Sequence, residues 1–502
     1  MTTRHVVGLV VSGIVAVRAT TAVQKNDACE RLRGLTLKDA TITQAQLVGA
    51  GAFSIPGRQP FTDLVAFCRI TATLTPTSDS DIKIEVWLPQ ERWNEKLQSV
   101  GNGAWSGSIP QSAMADALRR GYATASSDTG HTGNSASFAL GHPEKLIDFA
   151  WRSEHEMTVA AKAIVRAFYG RAPKLSYWNG CSAGGRQALK EAQMFPADYD
   201  GIVAGSPGLD WAARSAQAVR VAHALKDDNA RLTLSALEIL HDAVLAACDA
   251  QDGLKDGLVS DPSRCRFDPA SVQCEAGGPA RCLTAAQVAS ARAVYTVSVN
   301  PATKREMPGL APGSERGWTD LGWTASARAT GQDQFRFVVF KDPAWTVDRF
   351  DPGRDTFRVD EGDSRMLNAD DPDLEPFFQR RGKLLQYHGW SDPQISPFSS
   401  AAYYQRVADR FGADRVKQSF RLFMAPGMGH CGGGDGPNQF DALAALEHWV
   451  EQGEAPDSIV AAHASNGRVG RTRPLCRYPL VAAYTGAGSV DDAASFTCRP
   501  KA

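Results

Sequence analysis

The stretch Gly180-Cys181-Ser182-Ala183-Gly184 carries a G-x-S-x-G string, and far downstream Cys431 directly follows His430. The string marks a sharp strand-to-helix turn that exposes a serine hydroxyl. A serine is a weak nucleophile at neutral pH and needs an imidazole to take its proton. If Cys181 and Cys431 pair, one covalent bond fastens a candidate nucleophile to a candidate general base. In a chain with 45 glycines a G-x-S-x-G string also arises by chance. The joint arrangement narrows the reading to a serine hydrolase.

The surrounding residues supply the turn. Leu175 to Asn179 (LSYWN) reads as a short buried strand, Gly180 and Gly184 permit a cramped backbone, and Arg186 to Met194 reads as the following helix. Ser182 then sits at a helix N-terminus, where the amide of Ala183 is free to donate to an oxyanion. This turn uses its partners in the order serine, acid, histidine. Lys383 to His388 (KLLQYH) reads as a strand running into Gly389-Trp390-Ser391-Asp392-Pro393, which places Asp392 just past a strand end. Phe420 to Ala425 (FRLFMA) reads as another strand, closed by the glycine-rich loop that holds His430. Asp392 would fix the imidazole's tautomer and stabilise the imidazolium. Against this, Asp392 alone reads as a turn residue before proline, and His430 alone as a structural loop histidine.

GCSAGG, HGWSDPQIS and PGMGHCGGG resemble the tannase and feruloyl esterase family, which includes mono-hydroxyethyl terephthalate hydrolases. The resemblance spans nearly the whole chain beyond the N-terminus and also covers FPADYDGIVAGSPG (Phe195 to Gly208) and RTRPLC (Arg471 to Cys476). It implies an α/β-hydrolase fold with a large inserted lid, and a triad of Ser182, Asp392 and His430. It draws the second oxyanion amide from a glycine-rich loop after an early strand, here Gly101-Asn102-Gly103-Ala104. Ala104 stands where a relative has glycine. Its amide keeps the role unless the backbone there needs positive φ.

A chain of 502 residues with 43% hydrophobic and 22% charged content buries a substantial core and exceeds one compact unit. A net charge of −1 gives no electrostatic case for nucleic acid or an anionic membrane surface. Arg4 and His5 precede an apolar run from Val6 to Val17 and small residues from Ala19 to Ala22, the pattern of a secretory signal. The alternative, a membrane anchor, needs about 20 apolar residues, and the run is shorter. The expected organisation is a signal over 1–22, a catalytic domain over 23–207 and 382–502, and a lid over 208–381. Secretion or export to the periplasm follows, with no stable membrane association.

All ten cysteines lie beyond that signal, and they allow on the order of a thousand pairings. The resemblance implies Cys29 with Cys68, Cys181 with Cys431, Cys248 with Cys265, Cys274 with Cys282, and Cys476 with Cys498. No CxxC pair is present, so zinc is disfavoured. Strand-like runs at Ile82 to Leu88, Tyr122 to Ser126 and Gly201 to Ala204 add to those above, and Met157, Ala160, Ala161, Ile164, Val165 and Phe168 mark the core face of a helix. From about Gly208 to Arg381 cysteine, glycine and proline cluster, and Trp318, Trp323 and Trp345 enter. Such an insertion can arch over Ser182 with apolar walls, although single aromatics in it are more often packing.

Within the insertion, Asp249, Asp252 and Asp256 fall inside eight residues together with Gly253 and Gly257. Calcium takes six to eight oxygens, which these carboxylates and the carbonyls of Leu254 and Leu258 can help to supply. The spacing is not that of an EF-hand, and an acidic solvated turn is the alternative. The family resemblance implies a structural calcium here, in the lid and away from Ser182.

The sequence thus predicts an exported ester hydrolase for small aromatic esters of hydroxycinnamic or hydroxybenzoic acids, linked to plant polysaccharide or polyphenol. A terephthalate half-ester hydrolase is the alternative within the fold. It needs a lid cation for the free carboxylate, with Arg328, Arg336 and Arg349 as candidates. A catalytically silent calcium-dependent binding protein is the alternative outside it.

Overall fold

A computed structural model describes residues 28–501 apart from 56, 58, 278–280 and 321–330. The expected signal, Trp323 and Arg328 lie outside the described residues. Nine strands form one sheet: β1 (Ala40–Val48), β2 (Phe67–Leu74), β3 (Ile82–Pro89), β4 (Lys96–Val100), β5 (Ala123–Ser127), β6 (Leu175–Cys181), β7 (Gly201–Gly205), β8 (Lys383–Gly389) and β9 (Phe420–Ala425). Their spatial order is β1-β2-β3-β5-β4-β6-β7-β8-β9. The first three strands and β5 pair antiparallel, and from β5 onward every pairing is parallel. Strands covered on both faces lose their alternation and become continuously apolar. In keeping with that, every residue of β9 is buried, as are seven of the eight in β3.

Helices cover the sheet: α1 (Gln111–Arg119), α2 (Ser153–Tyr169) and α3 (Ala183–Met194) precede the insertion. In α2 the expected face holds, with Met157, Ala160, Ala161, Ile164 and Val165 buried and Phe168 packed at the margin. Helix α3 starts three residues earlier than the periodicity predicts, because the turn at Ser182 leads straight into its first residue.

Strands β7 and β8 are parallel neighbours, with Gly201 opposite Lys383, yet the whole insertion separates them in sequence. The insertion has apolar cores of its own. One joins α4 (Trp211–Ala224), α5 (Leu234–Cys248) and α6 (Ala285–Tyr295) through Val221, Leu237, Leu240, Val288 and Val294. Another packs Phe335, Trp345 and Phe350 against Ala212, Ala216 and Val219 of α4. Trp318 and Trp345 are buried packing residues. All five expected disulfides are formed. No helix among the described residues is long and apolar enough to cross a membrane.

Candidate active site

In an open parallel sheet, functional loops gather at the carboxyl ends of the strands. Four such loops meet here: Gly101–Ala104 after β4, Ser182 after β6, Asp392 after β8 and His430 after β9. Ser182 has φ +64° and ψ −120°, a conformation that a residue with a Cβ holds only when its surroundings over-determine it. The surroundings do. A Cβ at Gly180 would lie 2.5 Å from the Gly184 carbonyl oxygen, and one at Gly185 would lie 2.4 Å from that of Gly205. Backbone bonds complete the turn, from Ser182 N–H to Gly205 O (3.0 Å) and from Gly208 N–H to Ser182 O (3.1 Å).

His430 links the other two members. Its Nε2 lies 2.8 Å from Ser182 Oγ and its Nδ1 lies 2.7 Å from Asp392 Oδ2. Since Nδ1 faces a carboxylate, it donates, which leaves Nε2 to accept the serine proton. Asp392 is fully buried and uses both oxygens: Oδ1 accepts from the backbone N–H groups of Gln394 (2.8 Å) and Ile395 (3.0 Å). Oδ2 accepts from His430 and also from Nε2 of His388 at 3.1 Å. Burial pushes the Asp392 pKa up, but the charges and hydrogen bonds of His430 and His388 outweigh it and hold the group well below the usual carboxylate range. It stays ionised at any working pH.

His388 is a residue that sequence reasoning treated only as part of a strand. Its Nε2 faces the Asp392 carboxylate and the Ile395 carbonyl, so that nitrogen carries the hydrogen. Its Nδ1 meets Ser400 Oγ at 2.7 Å. The His-x-x-x-Asp spacing in HGWSD was the available signal.

Ala183 opens α3, so its N–H has no carbonyl four residues back to bond. Ala104 is exposed with φ +45°, so the backbone there does take the left-handed conformation. That costs an alanine about 1 kcal/mol relative to glycine without removing its amide. Trp105, Phe149 and Trp211 pack together beside Ala183, joined by Phe337 and Leu367 of the insertion. A cavity of about 280 Å³ adjoins His430, lined by His241, Ser314, Arg316 and Thr319 of the insertion and by Gln394 and Asp435 of the core.

Of the expected lid cations, Arg336 donates to the Pro343 carbonyl and Arg349 pairs with Asp342 at 2.8 Å. A different arginine stands near the triad. Arg214 on α4 lies over the Trp211 ring, and its Nη1 is buried with no hydrogen-bond partner. Burial pushes its pKa down to about 10, with the charge of Asp392 acting in the opposite direction.

The acidic loop is closed largely by its own backbone. Asp249 accepts from the N–H groups of Asp256 (3.1 Å) and Gly257 (3.0 Å), Asp252 from Leu254 (3.0 Å), and Asp256 from Leu258 (3.2 Å). Arg473, from the RTRPLC strand, gives Asp256 a buried counter-charge at 2.8 Å. Among the described residues no group of three His, Cys, Asp or Glu side chains forms a ready-made metal cage. The donor chemistry is nevertheless oxygen only, which suits calcium over softer metals. The Asp252 pKa is raised, chiefly by burial and to a lesser degree by the like charges of Asp256 and Asp249. Nor is the loop remote from the triad histidine's loop: a Cβ at Gly427 would lie 2.5 Å from Leu258 Cδ2.

The profile of the tannase and feruloyl esterase family matches residues 68–499. An uncharacterized esterase of Xanthomonas campestris pv. campestris is 37% identical, over 95% of this chain and 92% of that one. A probable feruloyl esterase B-1 of Aspergillus oryzae is 33% identical, over 88% of this chain and 85% of that one. The crystal structure of feruloyl esterase B from Aspergillus oryzae superposes with a TM-score of 0.90 at 31% identity, covering 95% of this chain and all of that one.

Proposed function

Because this chain belongs to the tannase and feruloyl esterase family and is a carboxylic ester hydrolase of that type, we propose that it cleaves esters of hydroxycinnamic or hydroxybenzoic acids through an acyl-enzyme on Ser182. The observation that carries this reading is the continuous relay from Ser182 Oγ through His430 to Asp392, with Cys181 bonded to Cys431 beside it.

His430 Nε2 takes the hydroxyl proton as Ser182 Oγ attacks the ester carbonyl, and the N–H groups of Ala183 and Ala104 stabilise the oxyanion. Collapse breaks the bond to the alkoxide, which leaves with the proton held on His430. Water then enters, gives its proton to the same nitrogen and attacks the acyl carbon, freeing the acid and regenerating Ser182. Asp392 keeps the imidazole in one tautomer throughout and stabilises its cationic form.

Fluorophosphonate labelling followed by peptide mapping tests the nucleophile: label on Ser182 is expected, and an unlabelled Ser182 in folded protein contradicts the reading. A hydrolysis panel of methyl ferulate, methyl gallate, chlorogenate and mono-hydroxyethyl terephthalate resolves the acyl preference. The unpartnered Nη1 of Arg214 favours a second reading, in which the substrate carries a free carboxylate. In that case Arg214→Gln lowers kcat/KM for the terephthalate half ester about tenfold or more and leaves methyl ferulate within twofold.

The proposal extends to export, supported by five disulfides and no free cysteine among the described residues, and to calcium at Asp249, Asp252, Leu254, Asp256 and Leu258. For calcium the support is the donor set, three carboxylates within eight residues and oxygen donors only. Chelation is expected to lower Tm, since an ion bound only by the folded state stabilises it. An unchanged melting curve after verified metal removal counts against the ion.

A further inference from the structure

The loop Gly101–Ala104 must hold an amide still, and its own backbone contributes only the bonds from Gly101 N–H to Asn179 O (3.2 Å) and from Ser106 N–H to Gly103 O (2.9 Å) besides those of Asn102. Gly103 and Ala104 are exposed, and a Cβ at Gly103 would meet nothing within 4 Å. Asn102 is the exception. It is buried, and every polar group it owns is engaged. Its side-chain Nδ2 donates to the carbonyls of Ser108 and Ser127, each at 2.9 Å, tying the loop to its own far end and to the end of β5. Its carbonyl accepts from Gly184 N–H at 2.8 Å, its N–H donates to Gln187 Oε1 at 3.0 Å, and its Oδ1 accepts from Gln187 Nε2 at 3.1 Å.

Gln187 is equally committed. It lies on α3, five residues after Ser182, and is buried. Its second Nε2 hydrogen goes to Glu154 Oε1, a buried carboxylate on α2. Two acceptors facing Nε2 and one N–H facing Oε1 leave this amide a single orientation. The close fit of the backbones enforces the same register: a Cβ at Gly101 would lie 2.5 Å from Gly184 Cα.

We infer that Gln187 and Asn102 form a clamp through which the nucleophile helix positions the second oxyanion donor. Helix α3 then sets both donors at once, Ala183 through its own first N–H and Ala104 through the paired amides of Gln187 and Asn102. Neither side chain touches substrate, so both are positioning residues. The inference rests on the acyl-enzyme reading above. What it adds is the identity of the side chains that carry the loop, which follows from their hydrogen bonds and from no motif.

The test compares wild type with Gln187→Met, which keeps length and removes every polar group, and with Asn102→Ser, which removes the side-chain amide but keeps the backbone bonds. Each protein's fold is checked by Tm and circular dichroism. The readouts are kcat, KM, the affinity of an aryl boronic acid that mimics the tetrahedral intermediate, and the affinity of the product acid. A misplaced oxyanion donor predicts a fall in kcat of about 10- to 100-fold, with boronate affinity falling in parallel while KM and product affinity stay within about twofold. Loss of boronate and product affinity together, or a folded variant of either kind with kcat within twofold of wild type, overturns the clamp. Fluorophosphonate labelling on the same samples separates the two claims: labelled wild type with unaffected variants sinks the clamp alone. Wild type unlabelled at Ser182 sinks the acyl-enzyme reading and the clamp with it.

Discussion

Ser182 and His430 sit 2.8 Å apart at their reacting atoms, but the chain places them by different means. Around Ser182 the constraint is local: Gly180 and Gly184 touch across the turn, Gly185 lies against β7, and α3 begins at once. The loop Pro426–Gly434 that bears His430 has no helix behind it and puts Gly427, Cys431, Gly432, Gly433 and Gly434 at positive φ. It is held by a bond from Gly429 N–H to Gly433 O (3.0 Å), another from Ser391 N–H to Met428 O (3.0 Å), and the disulfide to Cys181. The serine's turn is thus set by its own glycines and by neighbouring strand β7, whereas the histidine's loop depends on a covalent partner 250 residues away. Perturbing the first region should remove chemistry, and perturbing the second should loosen geometry.

The largest expected effect is on chemistry. Ser182→Ala should lower kcat by about 10⁴-fold or more with the fold intact, measured on purified protein quantified by absorbance, because no other group carries the acyl chain. Wild-type turnover in that variant would remove the assignment. His388→Gln probes the support behind the histidine. Losing a charge-assisted bond to Asp392 is worth about 1.5–3 kcal/mol, so kcat should fall about 10- to 100-fold with KM nearly unchanged. An unaffected kcat would show that the Gln394 and Ile395 amides with His430 suffice for Asp392.

A smaller effect reaches the serine side through stability. Burial raises the Glu154 pKa to about 7, from 4.5. The folded state therefore binds this proton more tightly than the unfolded state. The group's contribution is fully present below pH 4.5 and is lost as pH rises through about 7, a change of about 3 kcal/mol at most. Wild type should melt higher at pH 5 than at pH 8, and Glu154→Gln should flatten that difference; an unchanged profile in the variant contradicts the assignment. The smallest effect concerns Ala104 at φ +45°. Ala104→Gly should stabilise by about 1 kcal/mol and leave kcat near wild type, read by denaturant titration. Destabilisation would mean that the left-handed backbone is not strained.

The regions also differ in how legible they were. Strand, turn and helix around Ser182 could be read from the segment Leu175 to Met194, and Asp392 and His430 from the strand ends before them. The family was legible in GCSAGG, HGWSDPQIS and PGMGHCGGG, and the fold and the disulfide pairing came as what that resemblance implies. What stayed hidden depends on side chains brought together from distant segments. His388 reads as one more strand residue until its ring meets Asp392, and Gln187 as a helix polar residue until it meets Asn102. The lid arginines were sought by position in the chain, but Arg336 and Arg349 are satisfied locally and Arg214 on α4 stands near the triad. The contact of Leu258 in the acidic loop with Gly427 in the His430 loop was not legible, because packing, unlike spacing, is not written in any one segment.

The disulfide is where the two regions join, and the most direct test of the account is the rate of Ser182 fluorophosphonylation in Cys181→Ser/Cys431→Ser protein. Loop closure by this bond is worth at most about 5 kcal/mol, so labelling is followed at a temperature where circular dichroism shows both proteins folded. If the bond seats His430, the double variant labels at least about tenfold more slowly than wild type. Equal labelling rates would contradict the account, because the loop's own bonds, the Ser391 N–H to Met428 O bond and Asp392 would then suffice to seat the histidine.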